Sequence, residues 1–232
     1  MFNGKMKAVT FSYDDGCVQD RRMVEIFNKY NLKCTFNLNS ERLGEAGTLD
    51  CGGITVDHSR IKAEDLRHVY AGHEVAAHTL THPYVRHCED PEILRQVEQD
   101  RLNLTELMGY EVVGFAYPGG GENNDDHIAQ LIRENTGVLY ARGVGGTGSF
   151  DLPANLYRIT PSMNQQNPLE NVMALVEKFL ALEPTTPQLL FLYGHSYSLD
   201  AGDRWDEFEA VCARISNHDD IFYGTNKEVL LG

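Results

Sequence analysis

Two alternating periods constrain this chain more than any other feature. Short apolar or alternating runs recur at residues 7–13, 33–39, 74–78, 112–117, 138–143, 188–194 and 220–224, each of strand length. Between them lie segments with helical spacing of apolar residues, at 18–30, 63–72, 90–109, 125–137, 168–183 and 204–217. Several open on Asp or Pro and close on Gly, as capped helices do. A strand that returns parallel to its predecessor needs a crossover, and a helix is the usual one. The alternation therefore predicts an α/β fold with a parallel sheet covered by helices. About seven such repeats in 232 residues suit a barrel better than a wide open sheet. The longest irregular stretch, 43–59, reads as a loop over one face. With no linker, repeat or low-complexity block, residues 1–232 are expected to form a single catalytic domain.

In either parallel architecture the carboxyl ends of the strands carry the chemistry. Composition narrows the chemistry by exclusion. A formal net charge of -14 repels a phosphate backbone or an anionic membrane, so nucleic acid is not an expected partner, whereas a neutral substrate is compatible. Five cysteines, Cys17, Cys34, Cys51, Cys88 and Cys212, form no close pair, which argues against a disulfide framework and a structural zinc cage. No apolar stretch is long enough to span a bilayer and the amino terminus lacks a leader layout. A soluble, cytoplasmic protein without membrane insertion is the expectation.

The strand ends carry Asp14 and Asp15 after the first run, His78 and His82 after the third, residues 117–121 after the fourth, and His195 near a later one. On a helical turn, side chains four residues apart share one face and can share a cation. The metalloprotease version of such a pair has Glu one place after the first His, and here Thr79 stands there. A third, oxygen ligand must then come from elsewhere, and Asp14 or Asp15 can supply it. Two adjacent carboxylates can divide the work, one holding metal while the other takes a proton from water. Both reach one site only if the chain turns, and Gly16 permits that turn.

"TFSYDDG" (10–16), "HTLTHP" (78–83), "FAYPGG" (115–120) and "LYGH" (192–195) follow one another in that order. Together they resemble the successive motifs of the polysaccharide deacetylases, carbohydrate esterase family 4. The resemblance implies a distorted (β/α) barrel with helices outside, and metal-dependent removal of an acetyl group from an N-acetylated or O-acetylated sugar or polysaccharide. By position Asp14 matches the family's catalytic base, Asp15, His78 and His82 its metal triad, and His195 its general acid. Gly119, after the motif's proline, matches the backbone oxyanion donor. A divalent metal is implied, zinc first, with cobalt, nickel, manganese and iron also suited to two His and a carboxylate.

Two departures stand out. Many members carry Arg two places before the proline of the third motif, where it orients the base, and this chain has Ala116 there. The segment that supplies an acid to orient the general acid is not recognisable, which leaves Asp151 as its candidate. Other readings compete. A small-molecule amide hydrolase, such as an aminosugar deformylase, uses the same residues. "GHSYS" (194–198) nearly fits a serine-hydrolase elbow with Ser196 as nucleophile. "GVGGTG" (143–148) fits a dinucleotide fingerprint but is followed by a non-helical, proline-containing stretch. Tyr13, Tyr84, Tyr117, Tyr193, Tyr197 and Trp205 are candidates both for sugar stacking and for core packing.

Overall fold

The first strand, β1 (Lys7–Asp14), is buried along its whole length, as a strand covered on both faces must be. Its side chains alternate between two environments. Val9, Phe11 and Tyr13 enter the main apolar core, where Phe11 and Tyr13 meet the Phe27 ring at 4.8 and 6.0 Å. Thr10, Ser12 and Asp14 face the other way into a polar network.

A computed structural model describes residues 2–232. The other strands are β2 (Cys34–Leu38), β3 (Thr48–Asp50), β4 (Thr55–Asp57), β5 (Glu74–Ala77), β6 (Gly114–Ala116), β7 (Tyr140–Arg142), β8 (Met163–Asn164), β9 (Gln188–His195) and β10 (Ile221–Tyr223). The main sheet has eight strands in the order β7-β6-β5-β2-β1-β9-β8, and β10 pairs with the first half of β1. Every pairing in it is parallel. β3 and β4 form a separate antiparallel hairpin.

The helices are α1 (Asp20–Lys29), α2 (Leu66–Val69), α3 (Asp90–Leu94), α4 (Asp100–Met108), α5 (Asp126–Asn135), α6 (Leu169–Leu180), α7 (Tyr197–Ala201), α8 (Trp205–Ile215) and α9 (Asn226–Leu231). Met23, Val24, Ile26 and Phe27 of α1, Leu175, Val176 and Phe179 of α6, and Phe208, Val211 and Ile215 of α8 share one core with the outward side chains of the sheet. The result is a curled, distorted (β/α) barrel. Its distortion lies between β7 and β9, where irregular backbone replaces a full strand. Ile159 donates to Ala141 and accepts from Gly143 at 3.0 and 2.8 Å, while Ser162 and Gln165 donate to Phe191 and Tyr193 at 2.9 and 2.8 Å.

All seven runs read as strands are strands, and all six helical segments hold helices. Residues 43–59, expected to be plain loop, contain the β3–β4 hairpin. The segment 90–109 is helical without a break from Asp90 to Met108, with a π-turn over Arg95–Gln99 inserted between α3 and α4. No described helix is long and apolar enough to cross a membrane.

Candidate active site

Asp14, His195 and Asn37 stand level with one another at the ends of three neighbouring strands, because Asp14 registers with both others. Asp14 is 3% exposed. Its Oδ1 accepts from Asn37 Nδ2 at 2.8 Å and from the Arg142 guanidinium. Its Oδ2 lies 3.9 Å from His195 Nε2. Burial pushes the Asp14 carboxyl up, but Arg142, His78 and His195 together outweigh burial and hold it below the usual range.

The missing arginine of the third motif is thus supplied by a different strand. Arg142 on β7 registers with Ala116 on β6, so the guanidinium comes from one strand further along. It is fully buried and its Cζ lies 4.9 Å from the centre of the Tyr193 ring. A buried guanidinium without a carboxylate is costly, so the pair holds each partner in place.

The strand ends at Asp14 and the chain turns at once. Asp15 has φ +84° and Gly16 φ +64°, both left-handed. A Cβ on Gly16 meets Leu38 Cδ2 at 2.7 Å, so the close approach as well as the turn requires glycine. The turn swings Asp15 toward His78 and His82, whose Nε2 atoms lie 3.9 and 3.6 Å from its Oδ1. One ligand atom from each of these three residues lies within 4.8 Å of the others.

The expectation that His78 and His82 share a helical turn is corrected. Residues 78–84 are loop, with Thr79 and His82 at φ +69° and +65°, and this irregular path brings the two rings to 4.9 Å. The loop is held from beneath. Asp100 accepts from the backbone of Ser40 and His78 at 2.7 and 2.9 Å, and Asn39 Nδ2 donates to the His78 and Thr79 carbonyls at 2.5 and 2.9 Å. The π-turn explains the reach of the helix: Gln96, inside it, takes the N–H of Leu80 on its carbonyl and that of Thr81 on its side chain. His78 Nδ1 sits 2.7 Å from the Ala116 carbonyl. A carbonyl only accepts, so Nδ1 carries the proton and Nε2 turns its lone pair to Asp15. Burial pushes His78 down to about 4, which keeps the ring neutral.

These residues line a cavity of about 460 Å³ with Tyr117, Gly119, Gly120, Gly121, Val144, Gly145, Asn164, Tyr193 and Tyr197. Gly119 has φ +83°, and its carbonyl accepts from Asn123, which also ties Tyr117. Of the aromatic candidates Tyr117, Tyr193 and Tyr197 reach the cavity. Tyr13 and Trp205 are buried in the core, and Tyr84 packs over Gly119. Val144 and Gly145 belong to "GVGGTG", which opens no helix.

Two further expectations change. Asp151 does not orient His195: it bridges Gln188 at the far end of β9, whereas His195 Nδ1 lies 3.4 Å from Gln166 Oε1. Ser196 is fully buried and donates to Asp20 at 2.5 Å, outside the cavity lining.

Comparison with known proteins identifies the family. The sequence matches the family model described as Polysaccharide deacetylase over residues 3–137. The chain belongs to the polysaccharide deacetylase family. No curated protein matches it by sequence. A candidate polysaccharide deacetylase from Mycobacterium smegmatis has the same fold at 14% identity and TM-score 0.71, covering 98% of this chain and 90% of that one. A second, from Pseudomonas aeruginosa, matches at 14% identity and TM-score 0.70 over 97% and 89%. A carbohydrate esterase family 4 pseudoenzyme from Bacillus anthracis matches at 15% identity and TM-score 0.57 over 97% and 66%. Arg142 and His195 lie beyond the segment matched by the polysaccharide deacetylase model.

Proposed function

We propose that residues 1–232 form one metal-dependent hydrolase domain that removes acetyl groups from N-acetylated or O-acetylated sugars. The observation that carries this reading is the placing of Asp14 and His195, 3.9 Å apart at the cavity, beside the Asp15, His78 and His82 donors.

The donor set fits a divalent cation. Asp15 Oδ1 is buried without a hydrogen-bond partner, and the Nε2 lone pair of His78 faces it. Asp15, His78 and His82 are the residues to hold it, with zinc, cobalt, nickel, manganese and iron all compatible with one carboxylate and two imidazoles. When bound, such a cation supplies Lewis-acid polarisation of the acetyl carbonyl and lowers the pKa of water.

The chain's own groups divide the proton work. Asn37 and Arg142 occupy Asp14 Oδ1, so Oδ2 is the oxygen left to take a proton from the attacking water. The water oxygen bonds to the acetyl carbon. The Gly119 N–H, on its left-handed turn at the cavity, is the backbone donor for the oxyanion. His195, from the neighbouring strand, gives a proton to the departing nitrogen or oxygen as its bond to carbon breaks. Acetate and a free amine or alcohol result. A neutral sugar also suits a chain of net charge -14.

The test is acetate release from N-acetylated chitooligosaccharides, acetylxylan and small acetylated aminosugars, using chelated protein with and without added zinc or cobalt. Release that returns with metal is the expected result. No acetate from any substrate with metal present contradicts the proposal.

A further inference from the structure

His58 belongs to no motif, yet its Nε2 lies 3.6 Å from Asp15 Oδ2. The two oxygens of Asp15 therefore face different partners. Oδ1 faces His78 Nε2, His82 Nε2 and Arg60 Nη2 at 3.9, 3.6 and 3.6 Å, and Oδ2 faces His58. We propose that His58 is a positioning residue for Asp15: its Nε2–H holds Oδ2 and leaves Oδ1 as the single oxygen offered beside His78 and His82. This rests on reading Asp15 as a metal ligand.

Three observations support the assignment. His58 Nε2 is buried without a hydrogen-bond partner, a state buried polar atoms seldom keep, and Asp15 Oδ2 is the carboxylate oxygen it faces. The gap of 3.6 Å is slightly beyond hydrogen-bond length, so a small shift of either side chain closes it.

The backbone that carries His58 is fastened to the turn that carries Asp15. Gln19 Nε2 donates to the Asp57 carbonyl at 2.7 Å, Val18 N to Ser59 at 2.9 Å, and Ile61 N to Gly16 at 2.9 Å, while His58 N donates to Gly47 at 2.8 Å. His58 and Asp15 are thus held at a fixed separation by neighbours on both sides, although 43 residues part them in the chain.

The ring has a wall behind it. Tyr197 meets His58 edge-on at 4.7 Å and His195 at 5.1 Å, so one aromatic ring braces both histidines. A carboxylate with one oxygen pinned cannot rotate to present both oxygens to a cation. Partners of this kind typically change metal affinity by about 10–100-fold when removed.

The test is calorimetric titration of zinc into metal-depleted protein for the wild type, His58→Phe and His58→Gln, with thermal melts of each without metal. Phe keeps the packing against Tyr197 and removes the N–H; Gln restores a donor. The expected result is zinc binding about 10–100-fold weaker in His58→Phe, largely regained in His58→Gln, at unchanged metal-free melting temperature. Undiminished zinc affinity in His58→Phe overturns this assignment alone, and so does a loss in His58→Gln as large as in His58→Phe. A wild type that takes up no zinc overturns it together with the metal-site reading.

Discussion

Arg142 shows what a single side chain does here. It neutralises Asp14 from the strand beyond the expected one, with no solvent exposure. Arg142→Ala strands a buried carboxylate, so stability should fall by about 3–5 kcal/mol in urea unfolding. The kcat for acetate release should fall with it, because Asp14 loses its anchor. Ala116 and Arg142 are register partners, so their side chains leave the sheet on the same face. Adding Ala116→Arg to Arg142→Ala should therefore recover part of both losses, and no recovery contradicts the relocated-arginine account. Gly119 is the second sensitive position. A Cβ there meets Tyr84 Cδ2 at 2.6 Å on top of an unfavourable φ, so Gly119→Ala should shift the turn. A kcat lower by about 10²–10³-fold, the scale of a lost oxyanion donor, is expected from acetate-release kinetics.

At the scale of elements, a buried carboxyl joins three pieces of the chain. Asp20 opens α1 and accepts from Ser196, between β9 and α7, and from Tyr70, just after α2, at 2.5 and 2.7 Å. Burial pushes it up to about 7, against the smaller lowering by those two hydroxyls. Below pH 4 the group is neutral folded and unfolded, and it costs nothing. Between its unfolded value and about 7 the unfolded carboxyl ionises while the folded one keeps its proton, so stability falls by about 1.4 kcal/mol per pH unit from this group. Above about 7 the loss is complete. Urea unfolding of Asp20→Asn should show its deficit relative to wild type shrinking from pH 4.5 to pH 8, and a deficit independent of pH contradicts the assignment.

The same scale explains what the sequence could reveal. Strands such as β1, β2 and β9 are long and almost wholly buried, so their apolar runs stand out, and the helices facing them carry clear apolar stripes. β8 has two residues, and β3 and β4 are largely exposed, so neither leaves a pattern. Asp14, Asp15, His78, His82 and His195 sit in short motifs at strand ends, where local spacing marks them. Arg142 and His58 do not. Arg142 meets Asp14 through sheet register across 128 residues, and His58 meets Asp15 through a hairpin that folds back, so no local spacing encodes either contact.

Across the whole molecule the two ends of the barrel do different jobs. The carboxyl ends hold the cavity. The amino ends hold Glu74, at the start of β5, which accepts from Thr35, Tyr140 and the backbone of Lys227 at 2.7, 2.9 and 2.9 Å and so ties β2, β7 and α9 together. Glu74→Ala leaves those donors unpaired in a buried place and should cost about 2–5 kcal/mol in urea unfolding. The kcat should stay at the wild-type value, since nothing in the cavity touches Glu74. At the other end lies the proposed transfer of a proton from the attacking water to Asp14. Its most direct test is acetate release from an acetylated chitooligosaccharide by zinc-loaded wild type and Asp14→Asn, with zinc content measured for both. Equal zinc with a rate about 10²–10⁴-fold lower in Asp14→Asn is the expected result, and release at the wild-type rate contradicts the account.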